Sequence, residues 1–414
     1  MVRLEGFDEL TDVDEAFSVF LSKIKLKRSR SIKVPLELAL ERVTAEDVVV
    51  DCNLPPFDRS AVDGYAVRAQ DTFGASQFSP KTLQLIQNGR IDRNETKQIW
   101  TGNTIPRGAD AVIMLEYTKL LQDKIEVWAP VTPGENVSKR GEDVKKGEVA
   151  IKAGIRLKPQ HIGLLAALGV TNVTAVENPK VAILSTGNEL VDVGHKPKLG
   201  QMIDVNRLIL SSMCLEIGLE PLDLGIAKDN VEEIKAKIHG GIDKADAIIT
   251  TGGTSVGHAD LVLKAVNQMG TPGVVVHGIA IRPGMPTALA ILYDKPVFIL
   301  SGNPVAAMIG FEVFARPALL TLSGVGNELR PVVRAKLTRR VAAALGRQVF
   351  LRVCVFEREG KFFAEPVRVK GSGVLTTMTE ANGYVIVPKD REGLDEDENV
   401  FVYLFDSLRR EEHV

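Results

Sequence analysis

Three short apolar runs between residues 178 and 325 end alike. "KVAILSTGNEL" runs out into Ser185, Thr186 and Gly187. "ADAIITTGGTSVGHAD" runs out into Thr250, Thr251, Gly252 and Gly253. "KPVFILSGNPV" runs out into Ser301, Gly302 and Asn303. Helical patterns at 206–217 and 231–238 lie between the first two runs. Strands alternating with helices require a parallel sheet with crossover helices. In such a sheet, ligands sit beyond the carboxyl ends of the strands. Glycine there lets backbone N–H groups approach an anion, and a following helix N-terminus adds positive dipole. No lysine follows the glycines, so the segment is not a GxxxxGK[ST] loop, and no GxGxxG pattern is present. Each strand end alone fits a tight turn. Three together read as one pocket.

Carboxylates accompany these ends. Glu189 and Asp260 close two of the segments, and Asp229 sits in "GIAKDNVEE". Glu189 also fits a solvated loop, and Asp229 with Glu232 also fits a capping box. Acids beside a phosphate cradle suit Mg2+, which bridges carboxylate and phosphate oxygens. Arg282, between a β-prone run and Pro283-Gly284, offers a guanidinium to an oxyanion. A residue before proline is extended, so Arg282 is predicted at a strand end facing the same cleft.

The remainder is less regular. Val13, Ala16, Phe17, Phe20, Leu21 and Ile24 fall at helical spacing after a capping Asp12. A second helix is predicted from Pro35 through Leu36, Leu40 and Val43, and a third in "KPQHIGLLAALG". Residues 48–147 and 326–414 alternate short β-prone runs with turns. Net charge is −2, which excludes a global pull toward nucleic acid or membrane. Cys52, Cys214 and Cys354 form no CxxC pair, which argues against a zinc or disulfide framework. No apolar run approaches the roughly 20 residues of a spanning helix, and the start lacks signal-peptide character. A cytoplasmic protein is expected.

Seven motifs stand in a fixed order: "PPFDRSAVDGYAV" (55–67), "TGNTIPRGADAVIMLE" (101–116), "NVSKRGEDV" (136–144), "STGNEL" (185–190), "TTGGTSVGHAD" (250–260), "IRPGMP" (281–286) and "SGNPVAA" (301–307). The set, spread over essentially the whole chain, resembles the molybdopterin molybdenumtransferases, the MoeA proteins and the E domain of gephyrin. The resemblance implies a multidomain α/β and β fold. Its parts would be a helical elongated segment (1–47 plus 148–177), an inserted mostly β domain (48–147), a three-layer α/β molybdopterin-binding domain with a mostly parallel sheet (178–325), and a C-terminal β barrel (326–414). It implies a homodimer whose active cleft involves both subunits, and a transient contact with a molybdopterin adenylyltransferase.

The implied reaction is Mg2+-dependent insertion of molybdate or tungstate into adenylylated molybdopterin, with release of AMP. Carried over by motif, the reaction residues are Asp63, Thr101, Asp143, Glu189, Asp229, Asp260 and Arg282. Thr186, Gly187, Gly252, Gly253, Ser255, Gly257, Gly302, Asn303, Pro304 and Ser372 would bind substrate, and Asp229, Asp260 and Glu189 the metal. The chain departs from the usual bacterial pattern at Ser138, Met285, Ser301 and Ala306. Met285 replaces a lysine, so one cation near the oxyanion is lost. Two other readings compete: a molybdopterin adenylyltransferase, which is a short single domain lacking the DGYA and GED segments, and a non-catalytic scaffold of gephyrin type.

Overall fold

The computed structural model describes residues 10–26, 30–253, 261–325, 328–367 and 374–410. Contacts divide the chain into two compact units. One holds Lys33–Leu40 and Glu46–Thr174; the other holds Glu41–Ala45, the start of the chain and everything from Ala175 onward.

The larger unit contains the predicted α/β sheet. Its elements are β1 (Lys180–Thr186), α1 (Asn206–Glu216), β2 (Glu220–Ala227), α2 (Val231–Ile242), β3 (Ala247–Thr251), α3 (Leu261–Met269), β4 (Gly273–His277), β5 (Ile281–Arg282), β6 (Ala288–Leu292) and β7 (Lys295–Leu300). The strand order is β2-β1-β3-β7-β6-β4. The first four are parallel, while β6 and β4 add an antiparallel edge. Burial explains the unbroken apolar runs. On β1, Val181 and Ile183 pack against Phe20, Leu210 and Phe298, whereas Ala182 and Leu184 pack against Ile234, Ile238 and Val262. A strand covered on both faces has no place for a polar alternation.

The helix Val13–Lys23 is capped as the sequence predicts, with the Asp12 carboxylate accepting from the Asp14 amide at 3.0 Å. After β7, Asn303 takes the N-cap position of α4 (Pro304–Gly310) without a side-chain bond to the helix end, and the helix continues through a π-helical turn, Phe311–Ala315, into α5 (Arg316–Leu322). This corrects the expectation about apolar runs. Pro304–Leu322 has 19 residues, a mean hydropathy of 1.6 and 72% of its length buried inside the protein. Length and composition would let it cross a membrane, yet its side chains are core.

The strands β8 (Val332–Leu337), β9 (Gln348–Arg358), β10 (Lys361–Pro366), β11 (Gly383–Val387) and β12 (Asn399–Leu404) close on themselves in the order β9-β10-β8-β12-β11-β9. Val349, Leu351, Val353 and Val355 of β9 fill this barrel. Phe350, from the opposite face, joins the α/β core instead. The strand β5 leaves the α/β sheet and pairs with β9 in parallel, Arg282 beside Val349.

The smaller unit is mostly β. A six-stranded sheet runs Ala111–Met114, Gly64–Val67, Glu95–Ile99, Lys81–Leu85, Lys124–Val127, Thr118–Leu121. Its helix Pro159–Ala167 is the one read in "KPQHIGLLAALG". The helix expected from Pro35 to Val43 does not form. Ser31–Pro35 is a strand followed by a single 3-10 turn, Leu36–Leu38. The Leu36 amide bonds to Thr171 O rather than within a helix, and Leu38 and Leu40 are exposed. The apolar spacing there was not a buried stripe. All three cysteines are free.

Candidate active site

The three strand ends lie side by side. Ser185 pairs with Thr251, and Thr251 with Leu300. Beyond them opens a cavity of about 470 Å³ whose lining includes Thr186, Gly187, Gly252, Gly253, Gly302 and Asn303. The glycines have a steric cause. Gly252 has φ +90°, and a Cβ on it would lie 2.3 Å from Thr186 O. Gly253 has φ +64°, and its Cβ would lie 2.8 Å from a methyl of Val262 and 2.9 Å from Thr186 Oγ1. Only glycine tolerates that backbone so close to its neighbours. The close approach leaves a floor of bare main chain. Within it, the Thr186 hydroxyl oxygen is buried without a hydrogen-bond partner; such orphans call for a ligand or water.

Glu189 and Asp229 line the same cavity. A Cβ on Gly187 would lie 2.7 Å from Glu189 Oε1, so this carboxylate folds back over the first strand end. Asp229 Oδ2 accepts from the Asn188 amide at 3.2 Å, and Asn188 Oδ1 accepts from the Asp229 amide at 3.2 Å. The capping-box alternative for Asp229 is wrong. The cap of α2 is Asn230, whose Oδ1 accepts from the Glu232 and Glu233 amides at 2.9 and 3.2 Å. Asp229 keeps one carboxylate oxygen for another partner. Among the described residues, no group of three His, Cys, Asp or Glu is placed to hold a metal. Ser255, Gly257, Asp260 and Ser372 lie outside the described residues.

Arg282 is extended on β5, as the proline after it requires. It lines not the glycine cavity but an adjoining one of about 290 Å³, which shares Pro286, Ser301 and Asn303 with the first. Met285 is there too, and so are Arg347 and Arg352. Arg352 is only 6% exposed, and its Nε is buried without a partner. Burial pushes this guanidinium below its ordinary pKa, with no acid near enough to pull it back. A buried charge is normally paired, because leaving water is costly. Among the described residues Arg352 has no such pair. It stands on the outer face of β9 with Phe350, against the α/β half. Sequence reasoning missed it. The available signal was an arginine inside the apolar run "VFLRVCVF".

In the smaller unit, Asp63 and Thr101 meet. The Thr101 amide and hydroxyl donate to Asp63 Oδ1 at 2.7 and 2.8 Å. These bonds hold the Asp63 carboxyl below the usual range, so it is ionised at neutral pH. Asp143 is exposed on a turn, its amide donating to Leu54 O at 3.1 Å. Ser138, a departure from the bacterial pattern, donates its hydroxyl to Glu142.

Comparison with known proteins agrees over the whole length. Family models match in three consecutive stretches: the MoeA N-terminal region, domains I and II, over 11–169; the family described as "Probable molybdopterin binding domain" over 182–321; and the MoeA C-terminal region, domain IV, over 334–405. The molybdopterin molybdenumtransferase of Bacillus subtilis is 34% identical over 390 residues, 91% of this chain and 90% of that one. That of Haemophilus influenzae is 33% identical over 402 residues, 96% and 99% of the two chains. A crystal structure of a molybdopterin biosynthesis MoeA protein from Pyrococcus horikoshii has a TM-score of 0.79 at 37% identity, covering 96% of this chain and 100% of that one. A cradle of bare backbone at three strand ends, a neighbouring arginine cavity and a closed barrel, joined to these matches, make the chain a member of the molybdopterin molybdenumtransferase (MoeA) family, transferases of molybdenum cofactor biosynthesis.

Proposed function

We propose that this chain inserts molybdate or tungstate into adenylylated molybdopterin, with Mg2+ as cofactor and AMP as the leaving product. The observation that carries the reading is Arg352, a buried guanidinium without an anionic partner among the described residues, in a cavity that shares its rim with the glycine cradle. A tetrahedral dianion satisfies Arg352 and Arg282 at once. Guanidinium forks match paired oxygens. The pyrophosphate of the nucleotide-linked pterin lies on the cradle, met by main-chain N–H groups. Holding both reactants across one rim replaces a chance encounter with an oriented one. The two dithiolene sulfurs replace two oxygens on the metal, and the displaced oxygens take up the thiol protons and leave as hydroxide or water, one of them free to serve the hydrolysis that follows. The P–O bond to AMP breaks, and an oxygen from the oxyanion or from water ends on the freed phosphate.

The residues present fit Mg2+. This ion uses one or two carboxylates together with substrate phosphates, and Glu189 and Asp229 face the cradle where those phosphates would lie. When bound, it would neutralise charge on the pyrophosphate. Asp260 is expected to join them. Asp63, Thr101 and Asp143 act as a second set of reaction residues, and the chain works as a cytoplasmic homodimer that takes substrate from an adenylyltransferase. These last statements rest on the family resemblance, and light scattering tests the dimer.

The decisive assay supplies adenylylated molybdopterin, Mg2+ and either oxyanion, and follows AMP. No AMP release under any combination refutes the proposal. Two substitutions sharpen it. Arg282→Ala raises the oxyanion concentration for half-maximal rate about tenfold, a modest value because the side chain is exposed, while AMP affinity stays within about twofold. Titration against molybdate and tungstate reads this. Asn230→Ala loses a helix cap and about 1 kcal/mol of stability but keeps AMP release. Asp229→Ala does the reverse: thermal unfolding barely moves, and AMP release falls.

A further inference from the structure

Asn206 opens α1 yet its side chain does not cap it: the first two helix amides, of Asn206 and Arg207, are met by Asp204 Oδ1 at 3.1 and 3.4 Å. The side-chain Nδ2 of Asn206 is spent elsewhere, while its Oδ1 is buried without a hydrogen-bond partner. Nδ2 donates to Thr251 Oγ1 at 2.8 Å and to Gly302 O at 2.8 Å. Thr251 Oγ1 in turn donates to Ser301 O at 3.0 Å. Gly302 O only accepts, so the NH2 group must face it and the orientation of the amide is fixed by chemistry.

The same short segment reaches the third strand end. Asp204, 3% exposed, accepts from Ser185 Oγ at 2.9 Å, from the Asn206 amide at 3.1 Å and from Arg207 Nε at 2.6 Å. Arg207 also pairs with Asp192 and Asp223. Asp204 and Asn206 therefore touch the ends of β1, β3 and β7 together, and Arg207 anchors Asp204.

The cradle needs such a tie. The β3–β7 ladder pairs no residue past Thr251 and Leu300, and the Gly252 amide reaches back to Leu300 O at 3.3 Å. Gly252, Gly253 and Ser301 to Asn303 lie beyond it, tied to the strands by that amide and by the Thr251 hydroxyl on Ser301 O, a hydroxyl that Asn206 itself holds.

We infer that Asn206 is a positioning residue, holding the Thr251 and Gly302 ends at the separation that the substrate's phosphates require. The inference rests on the reading of this cavity as a phosphate cradle. Asn206 also lines the cavity; the role assigned to it here is through the main chain that its Nδ2 holds.

The test uses the full-length protein and AMP as the probe, with binding measured by calorimetry alongside thermal unfolding. Asn206→Ala removes both bonds and should weaken AMP on the order of tenfold. Thr251→Val removes the hydroxyl that links Asn206 to Ser301, at nearly unchanged volume. If one brace carries both effects, the double variant binds AMP no worse than the weaker single variant. Asn206→Asp keeps the shape but turns an acceptor toward Gly302 O, and should not restore binding. A merely structural residue would lower the unfolding temperature and leave AMP affinity of the folded protein within about twofold. That result, or additive losses in the double variant, overturns the inference. A wild-type protein that binds neither AMP nor pyrophosphate removes the phosphate reading, and this inference with it.

Discussion

Arg352→Met should leave the ligand-free protein at least as stable as the wild type and raise the oxyanion requirement about a hundredfold. Most buried-charge deletions behave differently, because they strand a partner. Here no partner exists among the described residues, so removal strands nothing. Methionine keeps the apolar stem beside Phe350 and gives up the charge. Under the proposed function, the desolvation cost of this unpaired guanidinium would be offset when the oxyanion binds. Unfolding curves with and without molybdate read both halves of the statement. The wild type should gain thermal stability from millimolar-range oxyanion, and the variant should not. A variant that unfolds early, or that binds molybdate as tightly as the wild type, removes Arg352 from the oxyanion's surroundings.

Gly252→Ala should abolish AMP binding and cost about 1–3 kcal/mol of stability. The added methyl meets Thr186 O at 2.3 Å, a main-chain atom with no rotamer to escape through. Either the β1 end or the β3 end must shift, and both form the cradle. The left-handed φ of +90° adds strain independent of space. Gly240→Ala is the matched control. That glycine lies in the helix α2 with nothing near a new Cβ, so alanine there should add about 0.5–1 kcal/mol. Calorimetric AMP titration and thermal melts of the two variants separate local crowding from a general intolerance of glycine replacement. Normal AMP affinity in Gly252→Ala would mean that the cradle does not depend on this close approach.

The parts of this fold that could be read in the sequence were those specified locally. The strands β1, β3 and β7 announce themselves because both faces are buried, and their ends because Ser, Thr and Gly follow at once. Arg282 could be placed at a strand end because the following proline forbids a helix there. Arg352 could not. In a strand of a barrel, every second side chain faces outward, and an arginine there is ordinarily in water. What brings it into one cavity with Arg282 is that β5 arrives from a distant part of the chain to pair with β9, and that the outer face is covered by the α/β half. Asp229 and Asn230 show a finer limit. Both can cap a helix, they are adjacent, and a shift of one residue decides which carboxylate or amide is consumed. The false helix after Pro35 arose from leucines that point into solvent.

The pairing of β5 with β9 has a further consequence. The cradle is mounted on the six-stranded sheet, while Arg282, Arg347 and Arg352 ride on the barrel or on the strand hooked to it. The two walls of the working cleft are thus separate pieces of machinery bolted along one seam. A slip of one residue between β5 and β9 would turn Arg282 to the other face, while Arg352, held on β9 by its other barrel partners, and every cradle glycine stayed in place. Under the proposed function, oxyanion choice and grip on the nucleotide would then sit on separate walls, so barrel substitutions could retune the first and leave the second untouched.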